Sequence, residues 1–304
     1  MKVLAVGGAG FIGSHVSLFF HDLGHEVTIM SRSAAKGQSR LNDLEFVPAN
    51  YIEDDCGDGR LEGYDWLIFC AGNDLGNYPR DGSVTQADWF EKANIEALPR
   101  FFEAARRAGI SRAVYMGSFY SFIAPESAKT IPYVRSRHLS DAAIRALSSP
   151  GFNVCSCALP WIVGYTPGLT NPHWEMLAKA AKGLIDWPDF VPPGGGNYMT
   201  CRSVAQAMLG GLERGESGKS YLVGDVNMTW QDFYGLWFEA AGNPRTFEVR
   251  EDLEHPILAK EIIAYIGGGT PDYEPPAAET ALLGYDRGTL FDEVKASYAY
   301  YSNL

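Results

Sequence analysis

The chain has 304 residues, 46% hydrophobic and 20% charged, which is the composition of a globular protein long enough for one large domain or two lobes. Its formal net charge of -12 argues against nucleic acid or an anionic membrane surface as partner, and no apolar run approaches membrane-spanning length. Five cysteines without a CxxC pair suit a reducing compartment, and a strand starting at residue 2 leaves no room for a leader, so the expected location is cytoplasmic.

Lys2–Val6 is a short apolar run that reads as a buried strand, and it breaks directly into Gly7-Gly8-Ala9-Gly10. From Phe11 the apolar spacing is helical. Strand, glycine turn and helix give context to the GxGxxG pattern at Gly8, Gly10 and Gly13. Glycines let the backbone turn and approach a pyrophosphate closely, and the helix start offers free N–H groups and a positive dipole end. Gly7, Gly10, Phe11, Ile12 and Gly13 are therefore expected to hold a dinucleotide. The helix should stop near Gly24, and Glu26–Met30 reads as the second strand. A site that prefers NAD carries an acid about 20 residues past the glycines. Here Ser31-Arg32-Ser33 stands there, with Lys36 just beyond. A guanidinium flanked by hydroxyls suits a 2′-phosphate, so NADP(H) is expected and NAD(H) is the lesser alternative.

Leu44–Pro48 reads as a third strand, with Asn50 and Tyr51 after it on the cofactor side. The acid run Glu53-Asp54-Asp55 that follows is expected to be a solvated turn. Tyr64–Cys70 reads as a fourth strand ending in Ala71-Gly72, and small residues there let a cofactor lie across the sheet edge. Helical periodicity from Gln86 to Ala108 carries a kink at Pro99 and stops at Gly109. Arg112–Met116 is a fifth strand leading into Gly117-Ser118, and Phe152–Leu159 is a sixth, with Cys155 and Cys157 filling one face of it. Strands alternating with helices indicate an α/β fold with a doubly wound parallel sheet. Six single histidines lack metal-ligand spacing, so no metal site is expected. From Trp161 to Phe190 large rings cluster, including Tyr165, Trp174 and Trp187, and His173 lies among them. Residues 267–276, rich in glycine and proline, read as a flexible surface loop that could serve as a lid.

The glycine-rich start, Ala71-Gly72, the Asn94 helix, the strand end Ala113-Val-Tyr-Met-Gly-Ser118 and Tyr133-Val-Arg-Ser-Arg137 together resemble the extended short-chain dehydrogenase/reductase family, over essentially the whole chain. That family includes nucleotide-sugar epimerases and dehydratases and dihydroflavonol-reductase-like enzymes. The resemblance implies a Rossmann lobe over 1–160 with a returning segment near 196–225, and a smaller, discontinuous C-terminal substrate lobe from 161–195 and 226–304. It also implies a homodimer built through the long helices of the nucleotide lobe.

The same resemblance makes Ser118 the residue that orients the substrate oxygen and Tyr133 the proton donor and acceptor. Position 137 is Arg where the family has Lys. Tyr133 and Arg137 are four apart, hence on one helix face, and a phenol with pKa near 10 needs a nearby cation to work at neutral pH. Arg137 keeps the charge but cannot titrate. Cofactor contacts are implied for Cys70, Ala71, Gly72, Asn94, Tyr133, Arg137, Pro160, Ile162 and Val163. Substrate contacts are implied for Tyr120, Trp161, His173 and Trp174. The segment Asn197-Tyr-Met-Thr-Cys-Arg202-Ser203 lacks the His and Asp of the diphosphate-binding relatives. The expected function is therefore NADP(H)-dependent interconversion of a carbonyl and an alcohol on a mainly apolar or aromatic small molecule. A nucleotide-sugar epimerase or dehydratase with bound NAD(P) is the first alternative, and a weakly catalytic NADP-binding regulatory protein is the second.

Overall fold

The computed structural model describes residues 1–35, 37–54 and 56–304. β1 (Lys2–Val6), β2 (Glu26–Ser31), β3 (Glu45–Pro48), β4 (Trp66–Phe69), β5 (Arg112–Ser118), β6 (Asn153–Leu159) and β10 (Ser220–Leu222) form one parallel sheet in the order β10-β6-β5-β4-β1-β2-β3. β1 and β4 are buried along nearly their whole length, as expected of strands covered on both faces. The chain winds outward from β1 through β2 to β3, then returns to β4 on the other side of β1. That reversal opens a crevice at the carboxyl ends of β1 and β4.

Helices cover both faces. On one face lie α1 (Phe11–Asp22) and α8 (Cys201–Arg214), with Val16, Phe20, Val204 and Met208 packed on Ile68, Val114, Cys155 and Cys157. The two alternating cysteines thus fill one strand face, and all five cysteines are buried. Gly211 lets α8 come down on β6, since a Cβ there would lie 3.1 Å from the Cys155 sulfur. On the other face lie α3 (Ala97–Arg107) and α6 (Pro132–Arg145), which contribute Phe101, Phe102 and Ile144.

The helical stretch expected over 86–108 is interrupted. α2 (Gln86–Phe90) runs into a π turn over Glu91–Glu96, and α3 starts only at Ala97. Pro99 sits in the first turn of α3, which continues without a break from the π turn, where the Ala97 N–H donates to the Lys92 carbonyl. The irregularity precedes the proline and carries Asn94, which is buried.

The remaining elements are α4 (Tyr120–Ile123), α5 (Ser127–Thr130), β7 (Trp161–Val163), α7 (Pro172–Ala181), β8 (Phe190–Val191), β9 (Gly195–Thr200), β11 (Val226–Thr229), α9 (Trp230–Ala240), β12 (Glu248–Val249), α10 (Lys260–Tyr265), α11 (Ala277–Leu283) and α12 (Leu290–Tyr301); α5 packs on α6 and α11 on α8, and most of the others build a second layer. β9 pairs with β7 and β11, and β8 with β12. Their core is aromatic. Trp174 stacks on Trp237 at 5.2 Å between centroids, and Tyr198 on Phe233 at 3.9 Å. The 267–276 stretch is not a free surface loop. The Tyr273 hydroxyl donates to the Val223 carbonyl at 2.9 Å, Asn227 donates to the Tyr273 carbonyl, and Pro271 and Pro275 are buried. Residues 267–270 are exposed in a run, and beyond them exposed and buried positions alternate.

Candidate functional site

The crevice at the sheet's reversal is a cleft of about 600 Å³. Thirteen of the sequence-derived cofactor residues line it: Gly7, Gly10, Phe11, Ile12, Gly13, Ser31, Arg32, Ser33, Asn50, Tyr51, Cys70, Ala71 and Gly72. Gly7 has φ +75°, and a Cβ there would lie 2.5 Å from the Ala71 nitrogen. A Cβ on Gly13 would lie 2.2 Å from the Gly7 carbonyl oxygen. The turn is thus as tight as backbone allows, and only hydrogen fits at either position. Gly10 caps α1 without any side-chain hydrogen bond, so the first N–H groups of α1 face the cleft unclaimed by a cap. That cradle fits a pyrophosphate.

At the end of β2, Ser31 accepts a hydrogen bond from the Ala9 N–H at 3.4 Å, and the exposed Arg32 donates to Asn77 at 3.4 Å. No carboxylate of Ser31–Ser33 is available for a ribose hydroxyl. Lys36 and Asp55 lie outside the described residues. Of the acidic loop, Asp54 accepts from the Asn50 N–H and from Arg60, and Glu53 pairs with Lys92, which makes it an ion-paired turn. Among the described residues no group of His, Cys, Asp and Glu could hold a metal ion.

Tyr133 and Arg137 lie on the first turns of α6, whose start is set by Pro132 at the position where proline is pre-organised for a helix. Arg137 Nη1 donates to the Tyr133 hydroxyl at 3.1 Å, and Nη2 donates to the Met116 carbonyl at 2.6 Å. Met116 itself lines the cleft. The guanidinium carbon lies 5.7 Å from the Tyr115 ring centroid and 5.9 Å from that of Tyr133. Arg137 is 8% exposed and pairs with no carboxylate among the described residues. Burial works against its charge, but the Tyr115 and Tyr133 phenols outweigh it and hold the charge on.

The cation does not decide the Tyr133 proton by itself. Burial raises the phenol pKa and is the largest influence, Arg137 pulls it down, and Asp74 pushes it up, with a net rise. The reason is a collar of rings: Phe90, Tyr265 and Tyr120 lie 5.2, 5.2 and 6.1 Å from the Tyr133 centroid. Tyr133 is 7% exposed and does not line the cleft. α10, through Tyr265 at its end, thus roofs Tyr133. Ser118 ends β5, and its hydroxyl accepts from the Tyr120 N–H at 3.5 Å.

A buried network ties α6 to the cleft. Asn94 donates to Ser136 Oγ at 2.9 Å and to the Asn73 carbonyl at 3.2 Å. Ser136 donates to the Tyr133 carbonyl, and Asn73 donates to the Tyr51 hydroxyl. Asn94 therefore stands behind the site rather than on the cleft. Pro160 and Val163 are buried beside the sheet end, and Ile162 packs into the core under α8; none of the three lines the cleft. Trp161 packs on Trp230 at 5.0 Å. Trp174 is 5% exposed in the aromatic core with His173 against its edge, and burial lowers the His173 pKa to about 4. The sequence had not singled out several cleft residues: Ser14, Asn73, Asp74, Asn77, Met116, Thr166, Leu169 and Tyr301. The Ser14 and Thr166 hydroxyls meet at 2.9 Å, a pairing that no local spacing signals.

No curated protein matches the chain in sequence. The crystal structure of gox2253 superposes with a TM-score of 0.78 at 19% identity, over 99% of this chain and 98% of that one. The UDP-glucose 4-epimerase of Thermotoga maritima, solved with UDP-glucose, gives 0.77 at 16% identity over 100% and 99%. The UDP-glucose 4-epimerase of Stenotrophomonas maltophila, solved with NAD and formylated UDP-arabinopyranose, gives 0.75 at 18% over 100% and 98%. These likenesses establish the fold. The family model described as the NAD dependent epimerase/dehydratase family matches residues 3–224, and the chain belongs to that family.

Proposed function

We propose that this family member holds a nicotinamide dinucleotide in the cleft and moves a hydride between it and a substrate carbon bearing a hydroxyl or carbonyl oxygen. The observation that carries this reading is the 3.1 Å contact between Arg137 Nη1 and the Tyr133 hydroxyl, on a guanidinium anchored to the Met116 carbonyl at the cleft wall. The bound dinucleotide supplies or stores the hydride. Tyr133 gives the substrate oxygen a proton or takes one from it, Ser118 orients that oxygen, and Arg137 favours the phenolate. Gly7, Gly10 and Gly13 with the start of α1 receive the pyrophosphate. Ser31, Arg32 and Ser33 at the end of β2 favour NADP(H) over NAD(H), since no acid there would repel a 2′-phosphate. The division into a nucleotide lobe and a discontinuous substrate lobe belongs to the same reading.

For the substrate, a nucleotide sugar has the wider support, from the family and from the UDP-sugar epimerases that share the fold. In that case hydride leaves and returns at one carbon with no net change of the dinucleotide. One observation favours the other class, a carbonyl or alcohol on an apolar molecule: the collar of Phe90, Tyr120 and Tyr265 around Tyr133. Two assays separate the classes, each run on wild type and Tyr133→Phe. One follows epimerisation of UDP-glucose and UDP-N-acetylglucosamine with NAD present, and the other follows NADPH and NADH oxidation across aromatic and aliphatic aldehydes and ketones. Tyr133-dependent turnover in the first establishes the sugar reading, and in the second the reductase reading. Tight dinucleotide binding without turnover in either would sink the catalytic reading and leave a nucleotide-binding protein.

A further inference from the structure

The Tyr133 hydroxyl must reach a substrate oxygen, yet the residue is 7% exposed and its ring is packed among others. Three rings surround it, and they are not equally fixed. Phe90 is 0% exposed at the end of α2. Tyr120 lies two residues past Ser118 at the sheet end. Tyr265 is different: it ends a helix of six residues, α10, and lies 5.2 Å from Tyr133 and 5.4 Å from Tyr120. One side-chain hydrogen bond, from Ser127 Oγ to the Ala264 carbonyl at 2.9 Å, ties α10 to the segment beneath it. Beyond Tyr265 come Gly267 and Gly268, both with positive φ, and Gly269. A Cβ on Gly268 or Gly269 would meet nothing within 4 Å. Ile266, between Tyr265 and the glycines, is buried in the aromatic core, and Pro271 and Tyr273 hold the chain beyond them.

We propose that Tyr265 is a specificity-determining residue of the site: its ring, seated on Tyr120 and Tyr133, occupies the place that the reacting ring of the substrate takes, and α10 swings out on the Gly267–Gly269 turn to admit it. The inference rests on the function proposed above. The substrate it predicts is a six-membered ring presenting an apolar face next to its hydroxyl or carbonyl carbon. A cyclic or benzylic alcohol has such a face, and so does the C–H face of a pyranose. Opening costs free energy that reduces apparent affinity by the fraction of open molecules. Moving Tyr265 also admits water to Tyr133, whose proton is otherwise subject to Arg137 on its own helix, Asp74 in the loop after β4, Tyr115 on β5 and Tyr120 on α4.

The test uses the full chain as wild type, Tyr265→Ala and Ser127→Ala. The last frees the Ala264 carbonyl without touching the ring stack. Cyclohexanol and benzyl alcohol are oxidised with NADP+ and with NAD+ across about pH 6–10, and UDP-glucose is supplied with NAD+ and read as UDP-galactose. With the gate removed, KM for the ring substrate that reacts should fall about threefold or more. The pH at which kcat rises should also move down, with Ser127→Ala shifting KM the same way by less. Which arm responds tells a simple alcohol from a sugar. Turnover by Tyr265→Ala where wild type is silent would also support the gate. If wild type turns over while both variants keep its KM and its pH profile, Tyr265 is a packing residue and the inference is overturned alone. If no form turns over in any arm, the catalytic reading fails and this inference fails with it.

Discussion

Arg137→Met is the most informative single change. It preserves length and apolar volume but removes the guanidinium that donates to the Tyr133 hydroxyl at 3.1 Å and to the Met116 carbonyl at 2.6 Å. A hydrogen bond from a charged donor contributes about 1.5–3 kcal/mol, which in favour of a phenolate corresponds to about one to two pH units. Tyr133 already sits above its ordinary pKa because burial outweighs the cation, so the variant should push it higher still. In the alcohol-oxidising direction the phenolate is the active form, and the rise of kcat with pH should move up by that amount. At a fixed pH below the midpoint the rate should fall roughly tenfold to a hundredfold. Stability should not fall in step, because a buried guanidinium without a carboxylate partner is costly to desolvate. The assay is kcat against pH for wild type, Arg137→Met and Arg137→Lys, with a thermal melt of each. Lysine keeps the charge and should keep most of the wild-type profile. An Arg137→Met profile that overlays wild type would refute the assignment of the cation to Tyr133.

Gly13→Ala would drive a Cβ to 2.2 Å from the Gly7 carbonyl; it should open the glycine turn and weaken NADPH binding, read by fluorescence titration, by about a hundredfold or more. Arg32→Asp should weaken NADPH binding about tenfold to a hundredfold through loss of a charged donor while leaving NADH equal or tighter; unchanged NADPH affinity would remove Arg32 from the 2′-phosphate site. Glu293 has its pKa raised from 4.5 to about 7, chiefly by burial. Between those values the folded state binds more protons than the unfolded one, so stability falls as pH rises through the interval, and the cost is complete only above about 7. Glu293→Gln should therefore raise stability by about 1–3 kcal/mol at pH 8, after discounting for its partial exposure, and by little near pH 4.5. Equal melting shifts at the two pH values would show that the carboxylate is not desolvated.

The parts of the site that rest on local spacing were legible before the fold was known. Strand, glycine turn and helix at the chain start led to the cleft, and four residues of helical spacing put Tyr133 and Arg137 in contact. Contacts between distant segments were not legible. Ser14 with Thr166, Asn94 with Asn73 and Ser136, and Tyr265 over Tyr133 bring together residues with no periodic relation, and only packing selects them. The aromatic run after Trp161 misled for a related reason: ring content says that rings will cluster but not whether around a substrate or one another. Trp174 chose Trp237, while Tyr265, beyond that run, went to the site. Pro99 marked a real irregularity, which lies just ahead of it in the π turn over Glu91–Glu96 rather than at the proline itself. Net burial of Tyr133 was likewise beyond sequence, since it depends on α10.

The late arrival of β10 bears on how the chain is made. Its partner β6 is complete at Leu159, but β10 begins at Ser220, about sixty residues and several seconds later at ribosomal rates of roughly 5–20 residues per second. During that interval the edge of β6 presents unpaired N–H and C=O groups on an apolar strand, the arrangement that invites pairing with another chain. A fragment ending near residue 160 would hold that exposed edge permanently. Chaperone dependence and aggregation during synthesis should therefore track the delivery of the segment around 220.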